Sequence, residues 1–476
     1  MSKSNPFIPA GILAGARCGK VGGFGMDVPI GILRDIPVGN LSGILAGVLF
    51  AVLAACSGPS GVFFPAEPDV RVLILHTVDE IDFRTGGPLT IATDADTVVI
   101  DEDEVMTFTL RKERDRVALY RNRAGMKPGQ ASQKLVRASG SMRLRSGDGF
   151  TINDVPYGIG WWWGGTEDRD YRGELHIYPN EMAMLDVVLT LPMETYLKGV
   201  IPYEIGPDSP LEALKAQAVA ARTEIVQTLV TGKYRTPHYD VCADVECQVY
   251  GGNSRRSTRS DSAVVLTRAE ILLYHGNVID AYYASNCGGK SERVEKVWPW
   301  RGGPQPYLDS RYDMEEIPPD LADPQTDIMT WLREPPESWC NPYIHTDLPT
   351  WSKANFRWRR EIGPADFDPS FAGTDSLDIV ERGESGRIHR LRVWIDGEAR
   401  DLDFELAIRQ MVVPPLRSSA FVFHRTDTVW VFEGAGWGHG VGMCQSGAVT
   451  QANRGRDYRR ILDHYFPGTD RQVSFP

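Results

Sequence analysis

Glu204 is a carboxylate whose position in the chain favours acid–base chemistry. It follows a predicted strand at residues 196–200 and precedes a predicted helix, so we expect it on a short loop that faces a cleft. The apolar neighbours Ile201, Tyr203 and Ile205 would desolvate the carboxyl group and keep it protonated near neutral pH, as a general acid requires. A loop glutamate is also compatible with a solvated or structural position, so residue type alone leaves its role open.

A second group of reactive side chains lies between positions 238 and 247. His238, Cys242 and Cys247 have a spacing that suits zinc, which takes imidazole and thiolate ligands in a tetrahedron. Glu246 or a water molecule would supply the fourth ligand of this structural site. The competing interpretation is a disulfide between Cys242 and Cys247, which an oxidising compartment favours. Zinc, a disulfide and free thiols therefore all remain open.

A third group of candidate binding residues surrounds two adjacent glycines. Gly288 and Gly289 follow a predicted strand and would let the backbone pass close to a ligand. Ser285 and Ser291 flank them and offer hydroxyl groups to that ligand. A simple tight turn explains the same residues.

The glycine-rich segment 434–448 contains His439 and Gln445. A phosphate-cradling loop is excluded, because too little chain follows for a dinucleotide-binding unit. His439 would bind substrate or the catalytic carboxylate, or else satisfy backbone carbonyls within the turn.

A long helix is predicted at about residues 209–231, directly after the candidate acid. Apolar side chains recur there every three or four positions and form one stripe. Ser209 is the predicted N-cap, Pro210 takes the first helical position, and Glu212 completes a capping box. Gly232 is predicted to end the helix.

Most of the remaining chain has the pattern of short strands separated by Gly, Asp and Arg turns. We predict strands at residues 70–75, 89–91, 97–100, 105–110, 142–144, 171–177, 184–191, 264–266, 271–274, 278–283, 391–395 and 429–432. A short helix is predicted at 457–466. Three adjacent tryptophans at 161–163 indicate either a sugar-stacking surface or core and edge aromatics on a strand. The predicted fold class is therefore α+β, strand-rich with a few helices.

The same patterns divide the chain into segments. These are a leader at 1–56, a tether at 57–69, an N-terminal strand-rich domain at 70–165, a core at 166–308, an insert or lid at 309–419, and the C-terminal part of the core at 420–476.

The leader is predicted from an apolar run at 41–55. The run has the length of a signal-peptide hydrophobic region and is short for a membrane span. It ends at Cys56 after Leu-Ala-Ala, which resembles a bacterial lipobox and predicts lipidation of that cysteine. The prediction is an exported protein in the cell envelope or periplasm, anchored to a membrane by lipid. A buried apolar helix or an uncleaved anchor is the alternative.

Charge and cysteine content restrict the partners. The net charge of −12 argues against nucleic-acid binding, which needs a basic face.

Of seven cysteines, Cys18 would leave with the leader and Cys56 would carry lipid. An odd number remains, so at least one thiol is free or bound to something other than cysteine.

Four segments together resemble the SpoIID/LytB family. Residues 196–223 match its core signature almost completely, as YLKGVIPYEIGP followed by LEALKAQAVAART. The segments at 281–292, 434–448 (GAGWGHGVGMCQSGA) and 464–469 (HYFPGT) resemble its other motifs. The resemblance covers about 70–308 and 420–476 and leaves the insert unexplained. Departures include Glu224 for an aromatic residue, Glu246 for His, and Cys444 for Ser.

This resemblance implies a peptidoglycan lytic transglycosylase with Glu204 as acid/base. The glutamic acid would protonate the oxygen between N-acetylmuramic acid and N-acetylglucosamine, and its carboxylate would then deprotonate the C6 hydroxyl to close a 1,6-anhydro ring. The expected substrate-binding residues are Lys215, Gln217, Arg222, Ser285, Ser291, His439 and Gln445. The expected partner is the glycan strand. The alternative is a non-catalytic, peptidoglycan-binding enhancer of a cell-wall amidase.

Overall fold

The computed structural model describes residues 63–476, apart from positions 115, 123–132, 181 and 183. The predicted leader, Cys56 and most of the tether lie outside the described residues. Among the described residues, no helix has the length and apolar character needed to cross a membrane. The fold is α+β and rich in strands, which confirms the predicted class.

Two large sheets build the N-terminal part of the described chain. In spatial order, the first contains Val241–Cys242, Asp69–Val78, Leu185–Pro192, Glu174–Pro179, Met142–Ser146, Leu89–Thr93 and Thr97–Ile100. The second contains Gly165–Tyr171, Phe150–Tyr157, Glu80–Thr85, Met106–Glu113, Arg116–Arg121 and Gln133–Ala138. Asp69–Val78 pairs antiparallel with Leu185–Pro192 and parallel with Val241–Cys242. Strands from both sides of the predicted boundary at residue 165 therefore belong to the same sheet.

The predicted central helix exists and spans Leu211–Thr231. It is buried on nearly every side rather than along one stripe, because other helices pack around it. These are Met193–Glu204, Thr258–Leu266, Gln445–Asn453 and Tyr458–Tyr465. The helix ends as predicted at Gly232, whose φ of 70° is the left-handed conformation that glycine adopts without strain.

The predicted capping box at this helix is wrong. Pro210 occupies the N-cap position and no side chain caps the helix. Ser209 instead donates its hydroxyl proton to the carbonyl of Ile205 at 2.7 Å. Glu212 accepts hydrogen bonds from Lys215 and from the backbone of Tyr458. Tertiary contacts therefore replace the predicted local cap.

Two predicted strands are helical. Residues 196–200 belong to the helix Met193–Glu204, in which Tyr196, Leu197 and Val200 are all fully buried on one face. Residues 264–266 belong to the helix Thr258–Leu266, which Ser257 caps. Packing and capping here override the strand preference of β-branched side chains.

The smaller sheets bring distant segments together. Glu270–Tyr274 pairs with Asn277–Val278 and with Asp470–Val473. Tyr283–Ala284 pairs in parallel with Met443–Cys444. The strand predicted at 278–283 is therefore not continuous. Only its two end residues, Val278 and Tyr283, belong to paired strands.

The insert and residues 420–435, which follow it, share a hydrophobic core separate from the main one. Two three-stranded sheets contribute to this core. They are Arg357–Ile362 with Trp430–Ala435 and Phe421–Arg425, and Thr374–Arg382 with Ile388–Ile395 and Glu398–Asp403. Short helices at Ile328–Arg333, Thr350–Phe356 and Glu405–Gln410 accompany them. The core side chains include Trp358, Ile388, Leu391, Phe421 and Phe432. The segment is therefore a folded unit rather than an open loop.

Candidate active site

Glu204 is the last residue of the helix Met193–Glu204, and not a loop residue as predicted. Its Oε1 accepts a hydrogen bond of 2.7 Å from the backbone N–H of Val249, and the polar side chains of Gln445 and Tyr283 lie close to its carboxyl group. Burial raises the pKa of Glu204 to about 7, although the Val249 N–H and these two side chains pull it down. The partial negative charge of a helix C-terminus favours the protonated form as well.

The Val249 amide reaches Glu204 because the neighbouring residues pack tightly on the same helix. The ring of Tyr250 stacks on Tyr196 with centroids 5.2 Å apart, and the N–H of Gly251 donates to the carbonyl of Gly199 at 3.2 Å. A side chain at Gly199 would meet the ring of Tyr250 at 2.4 Å, so only glycine permits this approach.

Gln445 and Tyr283 meet at Glu204 because the strand Tyr283–Ala284 pairs in parallel with Met443–Cys444, which directly precedes Gln445. Tyr283 lies opposite Met443 in this pair. The Gln445 amide nitrogen donates to the fully buried Oε1 of Gln217 at 3.2 Å, and the Tyr283 hydroxyl donates to Gln248 at 2.7 Å. Gln217 and Gln445 therefore lie in the network of Glu204, as side chains that position its carboxyl group.

Arg222 does not lie where a substrate-binding residue must. It is fully buried, and its Nε and Nη2 each donate to the carboxylate of Glu194 at 2.8 Å. The backbone carbonyls of Val264 and Glu270 accept further hydrogen bonds from it. The substrate-binding prediction for Arg222 is therefore corrected to an internal ion pair, because its guanidinium has no access to a glycan.

Lys215, on the same helix, is engaged at the protein surface. Its Nζ lies 2.6 Å from Glu212 and 5.5 Å from the ring centroid of Tyr458. Lys215 and Arg222 lie seven positions apart on this helix, but only Lys215 retains exposed surface.

The two serines of the double-glycine segment differ in their surroundings. Ser291 is buried and its hydroxyl accepts the N–H of Arg311 at 3.0 Å. Ser285 keeps some exposed surface, and Asn355 donates to its hydroxyl at 3.4 Å. The space beside Gly289 is filled by Trp331 of the insert, which a side chain at this position would meet at 2.8 Å.

His439 holds the glycine-rich turn. Its Nδ1 accepts the N–H of Val441 at 3.1 Å, and its ring packs on Trp298 with centroids 4.8 Å apart. Burial, with the nearby Arg387 guanidinium, lowers the pKa of His439 to about 3, so the imidazole is neutral. The hydrogen bond at Nδ1 is with a backbone N–H of the turn and not with a carbonyl, and substrate binding by His439 stays a prediction.

Two of the four predicted zinc ligands at 238–247 meet. The sulfur atoms of Cys242 and Cys247 lie 2.7 Å apart. The ring of His238 instead stacks on Tyr178 with centroids 4.1 Å apart, and Glu246 is exposed. The residues present do not form a four-ligand set in this arrangement, and zinc at this site stays a prediction.

An aromatic surface lies beside the glycine-rich segment. Residues 161–163 form turns after the strand Phe150–Tyr157, so the alternative of aromatics alternating along a strand is wrong. Trp162 is 37% exposed and packs on Trp437 with centroids 5.4 Å apart. The guanidinium of Arg417 lies 4.8 Å from the Trp162 ring centroid. Sugar stacking on Trp162 stays a prediction.

Sequence reasoning missed the residues that contact the Glu204 carboxyl group and favour its carboxylate form. The Val249 amide and the Tyr283 side chain lie about forty-five and eighty residues further along the chain, and neither residue type signals a catalytic role. The usable signal was the match of residues 281–292 to a family motif, which includes Tyr283.

Comparisons with known proteins identify two matched regions. Residues 181–274 match the family described as Stage II sporulation protein, and residues 292–442 match a domain of unknown function. The second match covers the whole insert and extends beyond it at both ends.

Three relatives extend these matches. An uncharacterised protein of Brachyspira hyodysenteriae is 30% identical over 356 residues, which are 75% of this chain and 82% of that protein. An amidase enhancer of Bacillus subtilis is 31% identical over 57% of this chain and 40% of that protein. Stage II sporulation protein D of Bacillus amyloliquefaciens is 29% identical over 60% of this chain and 75% of that protein.

Proposed function

The chain belongs to the SpoIID/LytB family, and from that premise we propose that it is a peptidoglycan lytic transglycosylase with Glu204 as its acid/base. The coarser assignment is a function related to peptidoglycan. The observation that carries the finer proposal is the position of Glu204 at a buried helix end, where the Val249 N–H donates to it at 2.7 Å and burial raises its pKa to about 7.

A pKa near neutrality suits a group that must both give and take a proton. Protonated Glu204 donates to the bridging oxygen, and the bond from that oxygen to C1 of N-acetylmuramic acid breaks. The Val249 amide and the Gln445 side chain then stabilise the carboxylate. The carboxylate takes the proton of the C6 hydroxyl, whose oxygen bonds to C1. No water enters the reaction.

The surroundings of Glu204 support a mechanism with one carboxylate. Among the described residues, the neighbours that shift its pKa are a backbone amide, a glutamine and a tyrosine, and no acid is among them. Hydrolysing glycosidases place two carboxyl groups about 5 to 10 Å apart across the bond. The nearby buried acid Glu224 faces Lys233 at 3.5 Å, and so is committed to an ion pair.

Replacing Gln445 tests whether its amide sets the pKa of the acid. Gln445→Met removes a donor that favours the carboxylate, so we expect the alkaline limb of the pH–rate profile to move up by roughly one unit. The turnover number should also fall, because the carboxylate formed on proton donation loses a partner. The control is Gln410→Met at an exposed helix end, which should leave the profile in place. An unmoved limb in Gln445→Met would contradict this role.

A second candidate function rests on the relative named amidase enhancer. In that case the chain binds peptidoglycan without cutting it and stimulates a cell-wall amidase. Purified glycan strands would be left intact by the protein alone, whereas amidase activity on whole peptidoglycan would rise when it is added. Substitution of Glu204 by Gln should leave that stimulation unchanged.

The function implies a location in the cell envelope, and we propose anchoring through Cys56. Cells fed a labelled fatty acid should incorporate the label into the wild-type protein, and Cys56→Ser should stay unlabelled. Label retained in Cys56→Ser would exclude lipidation of this cysteine.

A further inference from the structure

Four buried side chains from distant parts of the chain converge outside the Glu204 network. They are Cys287, Asp313, Cys340 and Cys444, and their sulfur and carboxylate atoms all lie within 4.8 Å of one another. None is more than 3% exposed. The Asp313 carboxylate faces the His464 imidazole at 3.7 Å, and the three thiols would become ligands once a metal ion displaced their protons.

Two of the six distances among these four ligand atoms match the edges of a zinc tetrahedron, and all six are within 4.8 Å. Zinc–sulfur and zinc–oxygen bonds of about 2.3 and 2.0 Å give edges of roughly 3.8 Å between sulfurs and 3.5 Å between sulfur and oxygen. The sulfurs of Cys287 and Cys340 lie 3.7 Å apart, and the Cys287 sulfur lies 3.6 Å from Oδ2 of Asp313. A disulfide requires about 2.0 Å between sulfurs. The thiols are therefore spaced to share an ion.

Neighbouring groups hold the four side chains in this orientation. The hydroxyl of Tyr465 donates to Oδ1 of Asp313 at 2.7 Å, which leaves Oδ2 directed at Cys287. The backbone N–H of Cys287 donates to the sulfur of Cys444 at 3.2 Å. Hydrogen bonds of this kind fix ligands around a bound metal ion.

We propose that Cys287, Asp313, Cys340 and Cys444 bind a structural zinc ion. The four ligands complete the tetrahedron and leave no position for water or substrate, as in structural rather than catalytic zinc sites. The site is separate from the predicted set at 238–247, because it shares no residue with it. The proposal does not depend on the cleavage of glycan.

The location of this site indicates which parts of the chain a bound ion would connect. Cys287 and Cys444 belong to the family-like motifs, whereas Asp313 and Cys340 belong to the region that matches a domain of unknown function. A zinc ion here would fasten that domain to the core. Cys444 also immediately precedes Gln445, so the ion would hold the glutamine beside Glu204.

Metal content of variants tests the proposal. The full chain, purified without chelator, should contain about one zinc per molecule, and Cys340→Ser and Cys444→Ser should each lose most of it. The double variant Cys242→Ser/Cys247→Ser is the matched control, since it removes two thiols from the other cysteine pair and should retain this zinc. Glu204→Gln should also retain zinc, which separates failure of this proposal from failure of the proposed function.

Cobalt replacement and thiol counting keep the test decisive if a variant misfolds. Wild-type protein loaded with cobalt should show thiolate-to-metal absorption and a tetrahedral visible band. In denatured, chelator-treated protein, Cys287, Cys340 and Cys444 should all react as free thiols. A metal-free wild type in which two of these thiols are joined as a disulfide would overturn the proposal. Zinc lost only from the Cys242→Ser/Cys247→Ser variant would overturn it as well.

Discussion

Glu204→Gln is expected to slow the cleavage of purified glycan strands by about 10²- to 10⁴-fold and to abolish 1,6-anhydro products. The amide keeps the size of the side chain but has no acidic proton to give to the glycosidic oxygen. The measurement is the rate of anhydro-product release by liquid chromatography and mass spectrometry, at a pH near the pKa of about 7 that burial gives Glu204.

The control for this variant is Glu316→Gln, the same chemical change at an exposed glutamate. It should cleave at the wild-type rate. If Glu204→Gln released anhydro products as fast as wild type, another group would have to be the acid. If the wild type released none, the amidase-enhancer candidate would replace the proposed cleavage.

The same variant should be more stable than wild type at alkaline pH. Between the unfolded pKa of about 4.3 and the folded pKa of about 7, the unfolded state is ionised and the folded state keeps its proton. Wild-type stability therefore falls as pH rises through this window and is constant above it, whereas glutamine does not titrate. Chemical denaturation should show no difference at pH 4 and a gain of about 1 to 3 kcal/mol at pH 8. Lower stability of the variant at pH 8 would mean that its lost activity reflects damage to the fold.

Arg222→Met is expected to destabilise the protein by about 3 to 5 kcal/mol, because it leaves the buried carboxylate of Glu194 without its partner. Both guanidinium contacts to Glu194 measure 2.8 Å, and the arginine is fully buried. Chemical denaturation of wild type and variant gives the difference in the free energy of unfolding.

Lys215→Met is the matched control on the same helix. Its pair with Glu212 retains exposed surface, so its loss should change stability by about 0 to 1 kcal/mol. The double variant Arg222→Met/Glu194→Leu should recover part of the loss, since no buried charge then remains. Unchanged stability of Arg222→Met combined with weakened glycan binding would restore the substrate-binding interpretation.

The candidate acid could be selected from the sequence, but its structural setting could not. The family signature selected Glu204, and its apolar neighbours predicted a raised pKa. The strand and loop predicted around it were wrong, since Tyr196 and Val200 are β-prone residue types that bury one face of a helix. Residue preference in a short segment yields when tertiary burial favours the other periodicity.

The sequence by itself determined the elements that depend on neighbours along the chain. Strands such as Leu89–Thr93 and Leu185–Pro192 follow from alternation and turn residues, and the central helix ends at the predicted Gly232. These signals lie within a few residues of the structure that they specify, so no knowledge of the fold is needed to interpret them.

Only the tertiary structure decided which charged and sulfur groups meet. Arg222 pairs with Glu194 across 28 residues, Cys287 meets Cys340 across 53, and Cys287 meets Cys444 across 157. Residue type shows that each such group needs a partner when it is buried, but many partners are chemically equivalent. The choice among them is made by strand pairing and helix packing, because these set which side chains share a water-free space.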